Sequence, residues 1–391
     1  MTVTRRVGDI ADVFNGKTPA KADQRVSGFP VLKIKDVNAQ GQFSGEFQSF
    51  VDDRFAQRHK KKCLRTNDIL VLNAAHNADY VGSKQYLAEH SVEGSLATGE
   101  WLIARSKSED LNQRYLWHWF QSPQTRFKFK KIVKGIHLYP KDVADQLIAL
   151  PPIEEQRRIA AILDKADVIR RKRQQALTLA DDFLRSTFLE MFGDPVVNPK
   201  GYPEHSLGNL VDVRDGTHDS PKYVDEGYPL ITSKNVTGGR LDFSTARNIS
   251  ERDFIEIGKR SSVEKGNILM PMIGTIGKPI IVDTDRQFAI KNVALLRTDG
   301  ADPLTVFLLE LLKGHYLSHA ILKSSRGGTQ KFIALSDIRL LPICLPPKEQ
   351  LLEFSSIVQK IEGLKVQMAN ACVYSDQFFE ASSQRLFRGD F

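Results

Sequence analysis

The sequence predicts a mixed α+β fold: two similar α/β modules, each followed by a long helix. Three observations carry this. The chain repeats itself once, the repeated part is rich in short strand-like runs, and each copy ends in a heptad pattern behind a proline pair.

The repeat has a period of about 195–200 residues, too long for a solenoid. VGDIADVFNGKTP (Val7 to Pro19) returns as LGNLVDVRDGTHD (Leu207 to Asp219). GFPVLKIKDV (Gly28 to Val37) returns as GYPLITSKNV (Gly227 to Val236), and TNDILV (Thr66 to Val71) as KGNILM (Lys265 to Met270). The copies close on LIALPPIEEQ (Leu147 to Gln156) and LPICLPPKEQ (Leu341 to Gln350).

The opening part of each copy alternates β-branched and aromatic runs with Gly, Asn and Asp. Val31 to Ile34, Ile69 to Leu72, Ile268 to Met270 and Ile280 to Val282 read as strands. Asn112 to Phe120 and Pro303 to Leu312 read as short helices late in each module. Pro151-Pro152 and Pro346-Pro347 then suit the first turn of a long helix. Apolar positions follow at alternating spacings of three and four. They are Phe354, Ile357, Ile361, Leu364, Met368, Ala371 and Phe378 in the second copy, and Ile159, Ile162, Ala166, Ile169, Arg173, Ala176 and Phe183 in the first. Arg173 either fixes the register or, as the sequence favours, snorkels to solvent. Each helix would span roughly 50–60 Å. Joined by a segment with Pro195, Pro199 and Pro203, they must fold back antiparallel or run past one another. The expected divisions are 1–150 and 207–345 for the modules, 151–192 and 346–391 for the helices with the C-terminal tail, and 193–206 for the linker.

Composition agrees with a globular protein. The 391 residues allow two or three domains, with 41% hydrophobic and 26% charged residues. No apolar run is long enough to span a membrane, and Met1 to Asp12 lacks the apolar stretch of a secretory signal. Cys63, Cys344 and Cys372 lie far apart with no CxxC, so the expectation is a reduced, cytoplasmic chain without disulfides or a cysteine zinc site. A net charge of +8 favours a polyanionic partner. Two similar modules carried by two rigid helices suit a linear target with two separated half-sites. A two-armed coiled-coil protein scaffold without DNA readout is the alternative.

LPPIEEQRRIAAILDKAD, Leu150 to Asp167, resembles the conserved helical region of type I restriction–modification specificity subunits, and LPPKEQ, Leu345 to Gln350, resembles its second copy. The stretch Gly8 to Pro19 is similar to the start of their target recognition domains. The resemblance implies two recognition domains, each reading one half of a bipartite, asymmetric DNA site. It implies an antiparallel coiled coil that sets the gap and docks two N6-adenine methyltransferase subunits, which two restriction subunits can join. S-adenosylmethionine would belong to the methyltransferase partner, and ATP and Mg to the restriction partner. This chain would bind no cofactor or metal and catalyse nothing.

Absences agree. No [DN]PP[YF] loop of an adenine methylase occurs, GTIGKP (Gly274 to Pro279) has the wrong spacing for a phosphate loop, and there is no HExxH. Asp181-Asp182 and Glu154-Glu155 are adjacent on helices and so diverge.

Base readout needs polar side chains on loops or helix ends, and phosphate contacts need Lys and Arg. In the first copy Arg126, Lys128, Lys130, Lys131, Lys134 and His137 interleave with Phe127 and Phe129. They form either a phosphate-binding stretch beside a reading loop or the solvated basic face of a helix. The matching stretch in the second copy offers Ser324, Arg326, Thr329, Gln330 and Lys331 around Gly327-Gly328. Lys33 and Lys35, with Ser233, Lys234 and Asn235, come next. Asn73 and Asn77 in one turn and Lys278 in another complete the set. Arg170 to Arg173 reads as a solvated helix face, with DNA contact between half-sites the lesser alternative.

Overall fold

The computed structural model describes residues 2–237, 239–273, 279–324 and 333–388. They form two compact units, Met1–Gln174 with Asn370–Phe391, and Gln175–Ala369. Each unit therefore holds one module and one half of each long helix.

In the first unit one four-stranded antiparallel sheet runs in the order Ala11–Asn15, Trp101–Ser106, Ile69–Leu72, Gln85–Leu87. A second runs Gln24–Arg25, Phe50–Val51, Phe29–Leu32, Leu96–Ala97, with its last pair parallel. The second unit repeats this order. Its sheets are Asp212–Asp215, Val293–Arg297, Ile268–Pro271, Ile280–Ile281, and Tyr223–Val224, Arg247–Ile249, Tyr228–Thr232, Ala289–Lys291. The final pair is again parallel. The fold class expected from the repeat is the one observed.

The central strand of each first sheet explains its apolar run. Leu102 and Ala104 face one core while Trp101 and Ile103 face another, so alternation places apolar side chains in both layers. Ala294 and Leu296 divide from Val293 and Leu295 in the same way. The short helices form where expected. Gln113–Gln121 is capped by Asn112, and Pro303–Lys313 by Asp302.

The repeated LPP motif has a structural cause. Its leading residues form the strand Leu147–Leu150, antiparallel to Val3–Arg6, and Pro342–Cys344 pairs likewise with Glu204–Ser206. Each module thus closes on its own first strand. The proline pair ends that strand, and helices Ile153–Phe192 and Lys348–Arg388 follow. The glutamine of the motif then stitches helix to module. Buried Gln156 accepts from the Asn112 amide at 2.9 Å and donates to the Asp110 and Pro151 carbonyls, both at 2.8 Å. Gln350 accepts from the Tyr202 hydroxyl at 2.7 Å.

Within each unit the helix segments run antiparallel. In the first, Arg173 lies beside Ala371, while Phe387 packs on the cluster that holds Ile159 and Leu163. In the second, Lys365 meets Asp181 at 2.7 Å while Phe354 packs on Phe188 and Phe192. The seam keeps heptad spacing, but one residue from where the apolar pattern places it. Ile159 and Ala166 are in it; Leu163 is buried where Ile162 was expected, and Ile162 and Ile169 are 37% and 48% exposed. On the second helix Phe354 and Ile361 hold. Val358 is buried beside the half-buried Ile357, and Lys365 takes the place of Leu364, which is 47% exposed. Charge inside the seam is one cause. Arg170 and Lys365 are half-buried where the sequence column offers the exposed Ile169 and Leu364, so that column looks more continuous in the sequence. Arg173 does not snorkel: it is half-buried and donates to the Ala371 carbonyl at 2.6 Å. Arg170 and Arg171 pair with Asp167 at 2.7 and 2.8 Å.

Candidate nucleic-acid interface

In the first module the loops at one edge of the sheets are knitted together. Gly16 donates to the Trp101 carbonyl at 2.9 Å and Lys17 to that of Ala97 at 2.8 Å. The repeated glycine is required by this close approach. A Cβ at Gly16 would lie 2.2 Å from the Thr98 oxygen, and one at Gly216 2.1 Å from that of Ile290. The Gly99 amide donates to Thr18 Oγ1 at 2.9 Å. Asn73 donates from Nδ2 to Asn15 Oδ1 and to the Gly99 carbonyl, both at 2.9 Å, and its own carbonyl accepts from Leu138 at 2.8 Å. The hairpin Lys134–His137 therefore lies beside the turn that follows Ile69–Leu72.

The second module builds the corresponding edge with charge. Asp215, in the position of Asn15, is buried and accepts from Arg260 and from His218, the latter at 2.8 Å. The other His218 nitrogen meets Asn292 Oδ1 at 3.0 Å, and Ser233 Oγ donates to the Asn292 carbonyl at 3.2 Å. Lys291 Nζ donates to Ser220 Oγ at 2.5 Å.

The expected contact residues divide under this geometry. Lys134 and His137 are exposed at the first edge, although Lys134 is paired with Asp142 at 2.8 Å. Lys128, Lys130 and Lys131 are exposed on helix Pro123–Ile132, which leads into that hairpin. Lys131 sits 4.3 Å from the centre of the Phe127 ring. Arg126 turns towards the helix pair. It donates to Gln121 at 2.6 Å, and burial, then the like charge of Arg170, lowers its pKa. Lys33 is half-buried, Lys35 reaches Gln48 at 3.0 Å, and Lys234 is exposed. Asn77 is exposed, and its side chain caps the turn at Asp79.

Two asparagines are corrections. Asn73 and Asn235 are 4% and 3% exposed, and their amides are spent inside the protein. Asn235 accepts from the Thr232 amide at 3.0 Å and donates to the Asp242 carbonyl at 3.0 Å, so it shapes its loop from within. Ser324 ends helix His315–Ser324, but its side chain, with Lys278, Arg326, Thr329, Gln330 and Lys331, lies outside the described residues.

Sequence reasoning missed several groups. His218, Lys291 and Arg260 carried no motif. Lys17 and the run His59–Lys62 were visible as charge, but only the fold brings them together. Lys62 Nζ donates to the Asn15 carbonyl at 2.7 Å. Burial and then Lys17 lower its pKa; burial, then Lys17, Lys62 and Arg58, lower that of His59. Asp164 was also missed. It accepts from His118 Nε2 at 2.7 Å and from Arg114, joining the first module to its helix. Burial pushes its carboxyl up, but these two partners outweigh it and hold it low.

Among the described residues no cluster of His, Cys, Asp or Glu is placed to hold a metal ion, and no helix is long and apolar enough to cross a membrane. Two like modules with polar, loop-built edges define a recognition subunit. The chain matches the family described as the type I restriction modification DNA specificity domain over residues 2–179 and again over 199–366, and it belongs to that family. It is thus a specificity subunit and not a catalytic one. It is 25% identical to the EcoBI specificity subunit of Escherichia coli, covering 97% of this chain and 84% of that one. It is 22% identical to the MjaVIII specificity subunit of Methanocaldococcus jannaschii, covering 92% and 85%. A chain solved in work on complex assembly and conformational transition of the type I R-M system shares the fold, with TM-score 0.56 at 19% identity, covering 100% and 98%. So does the S subunit from M. genitalium, with TM-score 0.55 at 12% identity, covering 99% and 96%.

Proposed function

We propose that this chain reads a bipartite, asymmetric DNA site, one half with each module, and scaffolds two N6-adenine methyltransferase subunits. The observation that carries the reading is that both modules present loops at the same edge of the same sheet pair, with different side chains on each. Equal topology suits equal docking on duplex DNA, and unlike edges suit unlike half-sites.

The helices support the scaffolding half of the proposal. Ile162 and Ile169 in the first unit, seven residues apart on one helix, and Phe183 and Leu364 in the second are exposed apolar side chains beside the seam. Such side chains favour a partner. S-adenosylmethionine would enter with the methyltransferase, and ATP and Mg with two restriction subunits where these join. The setting would be the cytoplasm.

The test is single-molecule sequencing of host DNA with the gene intact and deleted, scored for N6-methyladenine. Loss of a gapped two-part motif on deletion is expected. Unchanged methylation, with no duplex binding at low salt, would favour the protein-scaffold alternative. Ile162→Glu, on an exposed position, should leave the chain folded and weaken co-purification with the methyltransferase.

A further inference from the structure

We infer that the first module carries a phosphate clamp, formed by Lys17, Lys60 and Lys61 around the His59–Lys62 turn, that the second module lacks. The inference rests on DNA reading by the loop edge and assigns part of its affinity to one half.

The turn is rigidly placed. Helix Asp53–Arg58, capped by Asp52, buries Phe55 and Ala56, and the Phe55 ring packs against His59 at 4.6 Å. The chain then enters the short 3-10 turn Lys60–Lys62. Lys62 points inward, donating to the Asn15 carbonyl at 2.7 Å and the Gly16 carbonyl at 3.3 Å, so it pins the turn to the loop that bears Lys17. Lys17, Lys60 and Lys61 remain exposed. The nearby carboxylates are engaged elsewhere, Asp23 with Arg58 at 3.2 Å and Asp52 with Arg25 at 2.9 Å. Among the described residues none of the three lysines has an acidic partner at ion-pair distance. Lys17 is close enough to lower the pKa of both His59 and Lys62. Three exposed lysines beside the reading edge gain when phosphates enter and counterions leave.

The matching stretch of the second module is neutralised. Helix Glu251–Ser261 ends with Lys259 paired to Glu256 at 2.5 Å and Arg260 paired to Asp215, and serines follow at 261 and 262. Across the whole modules, residues 1–150 hold 23 Lys and Arg against 16 Asp and Glu, while 207–345 hold 18 against 16. The excess of positive charge therefore belongs to the first module, and Lys17, Lys60 and Lys61 are an unpaired part of it.

The test uses the full chain and a mixed-sequence DNA duplex, because phosphate contacts carry no sequence information. Binding is measured over a salt series for the parent, for Lys17→Gln/Lys60→Gln/Lys61→Gln, for the same three positions changed to Arg, and for Lys259→Gln. The slope of log K against log salt should fall by about one for each phosphate that is no longer neutralised, with affinity down by at least about tenfold in the triple Gln variant. The Arg variant and Lys259→Gln should keep the parental slope. Lys61→Gln alone should lower it by about one, and serves if the triple variant folds poorly. A parental slope in the triple Gln variant, or in Lys61→Gln where the triple variant folds poorly, overturns the clamp while leaving DNA reading intact. A parent that binds no duplex at low salt overturns the DNA reading, and the clamp with it.

Discussion

The two recognition modules share a strand order and a closing strand, yet their edges are made by opposite means. In the first, Asn15 and Asn73 form a neutral amide pair at the heart of the edge, and among the described residues Lys17, Lys60 and Lys61 have no acidic partner at ion-pair distance. In the second, a buried carboxylate, Asp215, gathers Arg260 and His218, so cations there are balanced from within. The comparison teaches which parts of the fold are free to vary. Core alternation and the close glycine approach are shared because packing demands them. The groups bridging the loops need only satisfy one another, and an amide pair and an ion triad both do so.

The largest expected effect sharpens the shared part. Phe354→Ala should destabilise the second unit by about 3–5 kcal/mol, because Phe354 is buried among Phe188 and Phe192. Ile159→Ala, its counterpart in the first, should cost roughly 2–5 kcal/mol. Denaturant titrations that follow each unit separately would check this. A loss confined to one unit for both variants would mean the helix seam is not equivalent in the two.

Asp215→Asn should cost about 2 kcal/mol, discounted because Arg260 is partly exposed, against about 1 kcal/mol for Asn15→Ala. Equal losses in a thermal melt would break the contrast between charged and neutral edges.

Asp164 offers a smaller, pH-dependent test, since it ties the first module to its helix through His118 and Arg114. Its folded pKa is lowered, so its contribution is complete above the ordinary carboxylate pKa and is lost as pH falls through the folded value. Asp164→Asn should lower stability by about 1 kcal/mol at neutral pH, and the gap from the parent should close in acid. A gap that persists at low pH would assign the loss to packing. The smallest effect belongs to Lys259→Gln, an exposed pair, within about 0.5 kcal/mol in the same melt.

Much of the architecture was legible because it is written locally. Ile69 to Leu72 is a strand as expected, and Gln113–Gln121 begins one residue after the predicted Asn112, which caps it. The long helices start just past their proline pairs. The seam phase was not legible, because Arg170 and Lys365 stand in it beside the apolar Ile169 and Leu364, which formed a competing column. The edge was half legible. Lys134 and His137 of the basic run stand exposed beside the edge loops, whereas Asn73 and Asn235 look like readers and are internal braces.

By itself, then, the sequence determined the twofold repeat, the strand alternation, the helix ends and the family, since each depends on residues near one another in the chain. Only the tertiary structure decided which side chains remain free to meet a partner. Lys62 is spent on a carbonyl 47 residues away, and Asn73 on a side chain 58 residues away. Whether a polar group is exposed or satisfied depends on what folding brings beside it, and local pattern carries no record of such distant partners.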